Sequence, residues 1–237
     1  MLPHPDREAT FEQFATICSQ LNLQRIAITA SLPQHLFKTF CKRARIPQDV
    51  LFVRASTDRS MLGYHFLPVF PTKSKVSMWE STKRLTHMLV STLEPEERAI
   101  TFFMDHGSAD TFAREMKCAV YHSQLPPYGN NTKSYNLWLW DSGQSKLIAA
   151  TTALLQGIDR PLVKYVIFHG STYGLIAYHQ GSGRAGRAGQ SSYIFLVFDG
   201  ENTHIRAPRS LDIEVIHLYL CLVVLSNGVS TVLFPLI

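Results

Sequence analysis

Apolar positions along the chain recur first at helical and then at strand spacing. Phe11, Phe14, Ile17, Cys18 and Leu21 fall three and four apart, which predicts an amphipathic helix over residues 8–21. Arg25 to Thr29 reads as a short buried strand, and Leu36, Phe37, Phe40, Cys41 and Ala44 mark a second helix. Leu51 to Arg54 and Leu62 to Val69 read as extended segments, and Phe70 to Lys75, polar and Pro-containing, is the predicted linker. Beyond it, Trp79, Leu85, Met88, Leu89 and Leu93 predict a helix, followed by a charged turn over Glu94 to Arg98.

Strands and helices then alternate. Near-continuous apolar runs at Ala99–Met104, Ala119–His122, Lys146–Thr151, Val163–Phe168 and Tyr193–Phe198 predict strands buried on both faces. Between them, Ser108 to Lys117 reads as a helix with Ser108 as N-cap, Leu137 and Trp140 sit on another, and Leu175 to Gln180 starts a third. The predicted fold class is therefore α/β, with a mostly parallel sheet flanked by helices. Pro126 to Asn131 is loop-forming. Residues 215–237 lack Asp, Glu, Lys and Arg, a pattern that admits a bilayer span; Asn227-Gly228 in their midst favours an apolar β-hairpin instead.

Composition narrows the picture little. Hydrophobic residues make up 46% and charged residues 17%, which excludes a disordered chain; 23 basic against 18 acidic residues give a net charge of +5, compatible with a polyanionic partner. Cys18, Cys41, Cys118 and Cys221 are too widely spaced for a zinc finger or a disulfide framework. The first ten residues have no apolar signal core, so the expected location is intracellular or nuclear, and membrane association is not expected.

The candidate chemistry lies in Gln180 to Gly189, where Arg184 and Arg187 stand among four glycines. Glycine allows close backbone approach to an anion, and guanidinium groups fork onto phosphate oxygens. A flexible Gly/Arg loop without a ligand is the plain alternative for that stretch.

Further stretches fall in one order with it. These are Thr29-Ala30-Ser31, Ala99 to Met116, Tyr121-His122 with Leu125, and Trp140 and Gly143 followed by Ala150 to Pro161. Together, residues 11–200 resemble the second half of a superfamily-2 helicase, most closely a RecQ-like DNA helicase. The resemblance implies a remnant of a first RecA-like domain over 1–70, the second RecA-like domain over 71–205 and an apolar tail over 206–237. It implies ATP and Mg²⁺ as cofactors, with Arg184 and Arg187 contacting the γ-phosphate, one as arginine finger. Gln180, Gly157 and Asp159 would line the same cleft, although Asp159 before Arg160-Pro161 also reads as a turn residue. On the nucleic-acid side it implies Thr151, Thr29, Ser31 and His122, although His122 reads more readily as a structural histidine at a strand end. DNA, single-stranded or duplex, and a chain supplying the first RecA-like domain are the implied partners.

Departures accompany the match. Leu154-Leu155-Gln156 stands where the family usually has Phe-Gly-Met, Phe168 where histidine is common and Thr172 where proline is. The sequence contains no Gly-Lys-Ser/Thr and no Asp-Glu followed by His, so the phosphate-cradling loop and the Mg²⁺ carboxylates are not among these residues. The expectation is a helicase C-terminal domain with little ATPase activity alone; a non-catalytic DNA-binding or regulatory module is the alternative.

Overall fold

The computed structural model describes residues 5–21, 28, 36–46, 51–53, 59–129, 131–155, 158–170 and 174–201. The chain divides into two units between Asp58 and Arg59. The first contains α1 (Pro5–Gln20) and α2 (Phe37–Arg43). α1 starts earlier than its apolar pattern predicts, with proline at a first-turn position where its missing N–H costs nothing. The predicted strand over 25–29, and with it Thr29 and Ser31, lies outside the described residues apart from Ile28.

The second unit is built on a six-stranded, all-parallel sheet in the order β1-β6-β5-β2-β4-β3. In chain order it runs β1 (Leu62–Val69), α3 (Pro71–Ser74), α4 (Met78–Ser91), β2 (Arg98–Phe102), α5 (His106–Met116) and β3 (Ala119–Tyr121). There follow α6 (Lys133–Asp141), β4 (Leu147–Ala150), a 3-10 turn (Thr152–Leu155), β5 (Val163–His169), α7 (Leu175–Ser182) and β6 (Ser192–Asp199).

Successive strand residues point to opposite faces, so each buried strand feeds two cores. On one face Ala99, Ala149, Ile167 and Val197 pack with Leu85 and Leu89 of α4 and Phe112 of α5. On the other, Ile100, Ile148, Val166 and Ile194 pack with Trp140 of α6, Leu154 of the turn and Tyr178 of α7.

Three expectations differ from the structure. The boundary expected at residue 70 moves to 58/59, because Leu62–Val69 pairs with β6 along its whole length, from Leu62↔Ser192 to Val69↔Asp199. The predicted linker is helical over Pro71–Ser74 and pinned to the end of β6, where the Thr72 amide donates to Glu201 at 3.0 Å. The cap of α5 is Asp105 rather than Ser108. Asp105 accepts from the Ser108 amide and hydroxyl, both at 2.7 Å, and these bonds hold its carboxyl below the usual range.

His169, at the end of β5, gives this unit an acid-sensitive joint. Thr82 donates its hydroxyl to the Met78 carbonyl at 2.8 Å, so the 2.8 Å contact to His169 requires Nδ1–H of the imidazole to donate to Thr82 Oγ1. The ring packs edge-on against Trp79 and beside Phe103, and burial lowers its pKa to about 4, against an opposing pull from Asp105. The unfolded chain takes up this proton near 6.5, which the native ring resists down to about 4. The contribution is therefore complete above about pH 6.5 and is lost as pH falls toward 4. Thermal melts between pH 7 and 4.5 should show a drop in Tm that His169→Gln flattens; equal slopes in the two proteins would remove His169 as the cause.

Candidate nucleotide and nucleic-acid site

The Gly/Arg stretch forms the end of α7 and the turn into β6. Gly183 caps the helix, and Gly186 and Gly189 adopt φ of +65° and +83°. At Gly186 a side chain would also meet Leu62 at 3.0 Å and the Gln190 carbonyl at 3.2 Å, so both backbone and space call for glycine. The turn is zipped onto the segment entering β5. The Gly186 amide donates to Val163 O at 3.1 Å, the Ala188 amide to Pro161 O at 3.3 Å and the Gln190 side-chain amide to Pro161 O at 2.9 Å. Arg59 Nη2 donates to Gly186 O at 2.5 Å from the other side.

This zipper brings Arg184, Arg187 and Asp159 together but gives the two arginines different surroundings. Arg184 donates from both terminal nitrogens to main-chain carbonyls, those of Leu155 and Ile158, while its buried Nε lacks a partner. Burial, and next the neighbouring Arg187, lower its pKa; Asp159 opposes them. Arg184 therefore ties the loop after β4 to the end of α7. Arg187 donates from Nη1 to Asp159 and from Nε to Gly183 O at 3.2 Å. Its side chain is 30% exposed and that of Asp159 is 87% exposed, so water screens the pair and a phosphate oxygen can take the carboxylate's place. Gln180 lies on α7, half-buried, and Gly157 is outside the described residues. No sequence signal pointed to the Leu155 and Ile158 carbonyls, since a carbonyl acceptor has no residue type.

α7 is seated by a close contact that explains Phe168. A Cβ on Gly181 would come within 2.7 Å of the Phe168 ring and 3.2 Å of Leu155. Phe168 in turn stacks on Phe102 and packs against Tyr178.

The proposed nucleic-acid positions lie elsewhere, at the carboxyl ends of β3 and β4. Thr151 is buried and its amide donates to Tyr121 O at 3.1 Å. His122 is only 4% exposed, bonds through Nε2 to Asp110 at 3.0 Å and stacks on His106 at 4.9 Å. Its contacts are those of a structural histidine, and Asp110 and His106 were not singled out by any pattern. The Arg184–Asp159 group instead leads into the amino ends of β5 and β6. The 3-10 turn Thr152–Leu155 joins the two sets of candidate residues, since it follows Thr151 and ends at the Leu155 carbonyl that Arg184 holds.

The profile of the helicase conserved C-terminal domain matches residues 80–189, from α4 through the Gly/Arg turn. Sequence relatives agree. The chain is 27% identical over 179 residues to the RecQ-like DNA helicase BLM of Xenopus laevis, covering 73% of this chain and 12% of that protein. The chain is thus similar to RecQ-like DNA helicases and carries a match to the helicase conserved C-terminal domain over residues 80–189. It is also 27% identical over 171 residues to the ATP-dependent DNA helicase Q1 of Rattus norvegicus, covering 70% of this chain and 26% of the relative. S. cerevisiae Dbp5 bound to RNA and ADP BeF3 superposes with a TM-score of 0.61 at 18% identity, over 87% of this chain and 52% of that one. The helicase C-terminal domain thus has the RecA-like fold that its sequence predicts.

The residues present fit part of an ATP site. The exposed Arg187, bonded to a solvated carboxylate and to the Gly183 carbonyl, suits an anionic phosphate. Among the described residues no group of three or more His, Cys, Asp or Glu side chains could hold a metal.

Proposed function

We propose that the sheet-bearing unit is the second-domain half of a composite ATP site in a RecQ-like DNA helicase. The carrying observation is the meeting of Arg187 with Asp159 on a turn fixed at three points to the entry of β5. ATP, when bound, supplies the γ-phosphoryl group whose transfer to water drives such motors. Arg187 leaves Asp159 and places its guanidinium where charge develops on the transferred group. Arg184 holds Leu155 and Ile158 through its two carbonyl bonds, Gly157 allows close approach to the phosphates, and Gln180 borders the cleft from α7. Thr151 marks the edge along which a DNA strand's phosphates pass. The phosphate-cradling loop and the Mg²⁺ carboxylates come from another domain, so the chain alone turns over little ATP.

A non-catalytic DNA-binding module is the second reading, favoured by the engagement of Arg184 with main-chain carbonyls. ATPase assays on the purified chain, with and without single-stranded DNA, test the first. The expected rate is indistinguishable from buffer in both cases. DNA-stimulated turnover that Arg187→Ala abolishes would show that the chain needs no second half. Tight, salt-sensitive DNA binding that is indifferent to ATP, even with a first RecA-like domain supplied, would support the second reading.

A further inference from the structure

Helix α6 has two unlike sides. Asn136 and Trp140, four apart, are buried and bind the sheet: Asn136 Oδ1 accepts from the Val120 amide at 3.1 Å, and Trp140 Nε1 donates to Ala99 O at 3.0 Å. Tyr135 and Trp138, three apart, stand on the outer side, 42% and 51% exposed. Their rings lie side by side, centroids 5.9 Å apart and planes 30° from one another. Single exposed apolar residues are common on any surface, but two adjacent large rings form a patch that the fold does not use.

We propose that Tyr135 and Trp138 are a stacking platform for the bases of a single-stranded nucleic acid, with Lys133 receiving a backbone phosphate. The proposal rests on the nucleic-acid role given above and says where bases sit. Two observations choose this occupant. First, the positive end of a helix ordinarily attracts acidic side chains, yet the first turn of α6 carries Lys133 and no carboxylate. That charge suits a polyanion better than an apolar protein surface. Second, α6 is anchored to β3, the strand next to the one that ends at Thr151: Asn136 holds Val120, and the Thr151 amide donates to the next residue's carbonyl, that of Tyr121. α6 and Thr151 are thus tied to neighbouring residues of β3, which places the helix by the sheet end where such phosphates would pass. Ring stacking accepts any base, which fits a motor that moves without reading sequence.

The test uses the full chain, without nucleotide, titrated at low salt with oligo-dT of about 15 nucleotides. Of the three tryptophans, Trp138 is the exposed one, while Trp140 is buried and Trp79 half-buried, so stacking should quench emission from Trp138. The expected result is quenching that disappears in Trp138→Ala. A fluorescence-independent binding assay should show affinity falling about fivefold or more in each of Tyr135→Ala and Trp138→Ala. Lys133→Ala should reduce the slope of log affinity against log salt by about one. Circular dichroism checks that each variant is folded. Oligonucleotide binding with unchanged affinity in a Tyr135→Ala, Trp138→Ala double variant would overturn the platform while leaving the nucleic-acid role intact. No binding by the wild-type chain at low salt would overturn both. Self-association that the double variant abolishes, with DNA affinity unchanged, would reassign the patch to protein contact and overturn the proposal.

Discussion

Arg187→Ala is expected to cut ATP turnover about 10³-fold or more in an enzyme made by fusing this chain to the first RecA-like domain of a RecQ-like relative. The magnitude follows from what a guanidinium does for a loose phosphoryl-transfer transition state, where charge spreads over the γ-phosphate oxygens and little else stabilises it from this side. The side chain is exposed and bonded to Asp159 and Gly183 O, so its removal should leave folding nearly unchanged. Arg184→Ala should behave differently. It releases the Leu155 and Ile158 carbonyls, so stability falls together with turnover. Steady-state ATPase with saturating DNA, paired with urea unfolding of each variant, separates the two. An Arg187→Ala fusion within tenfold of its parent would end the assignment of Arg187 as the finger.

Trp140→Ala should cost about 3–5 kcal/mol, a large part of the stability of an ordinary domain. Trp140 is fully buried beside Ile100, Ile148 and Leu154, and its indole satisfies the Ala99 carbonyl at 3.0 Å. Truncation leaves both a cavity and a buried carbonyl without its donor. Its own carbonyl accepts from Arg98 Nε at 2.6 Å, so a shift of α6 would be felt at the start of β2 as well. Equilibrium urea unfolding measures the loss. Trp140→Phe should recover part of it by refilling the cavity without restoring the hydrogen bond; a Trp140→Ala protein within 1 kcal/mol of wild type, roughly the scale of a surface change, would contradict the packing described.

The strands were legible because burial on both faces writes itself as an apolar run, as at Val163–Phe168, and the Gly/Arg turn because its residue types are unusual. Other features leave no such trace. Arg98 reads as the end of an exposed charged turn, yet it is 3% exposed and donates to the carbonyls of Pro95, Glu97, Trp140 and Asp141. Gly143, at φ +86°, leaves room for that guanidinium: a Cβ there would lie 2.5 Å from Arg98 Nη2. The carbonyls that select arginine come from two separate stretches, and no local pattern encodes their convergence. The same holds for Arg184. The sequence shows an arginine suited to an anion, and only the folded loop shows that its donors are already engaged. The strand Leu62–Val69 was visible as extended, but its partner was not, which displaced the expected domain boundary.

That pairing has a consequence for how the protein is made. Leu62 lies opposite Ser192, so among the described residues the first strand of this unit pairs with the last, about 130 residues later. On the ribosome β1 emerges long before β6 exists, and its eight residues stay without that partner until the other described strands have been synthesised. Contacts so distant in sequence slow folding, and they leave Tyr64, Phe66 and Leu67 accessible to chaperones during that interval.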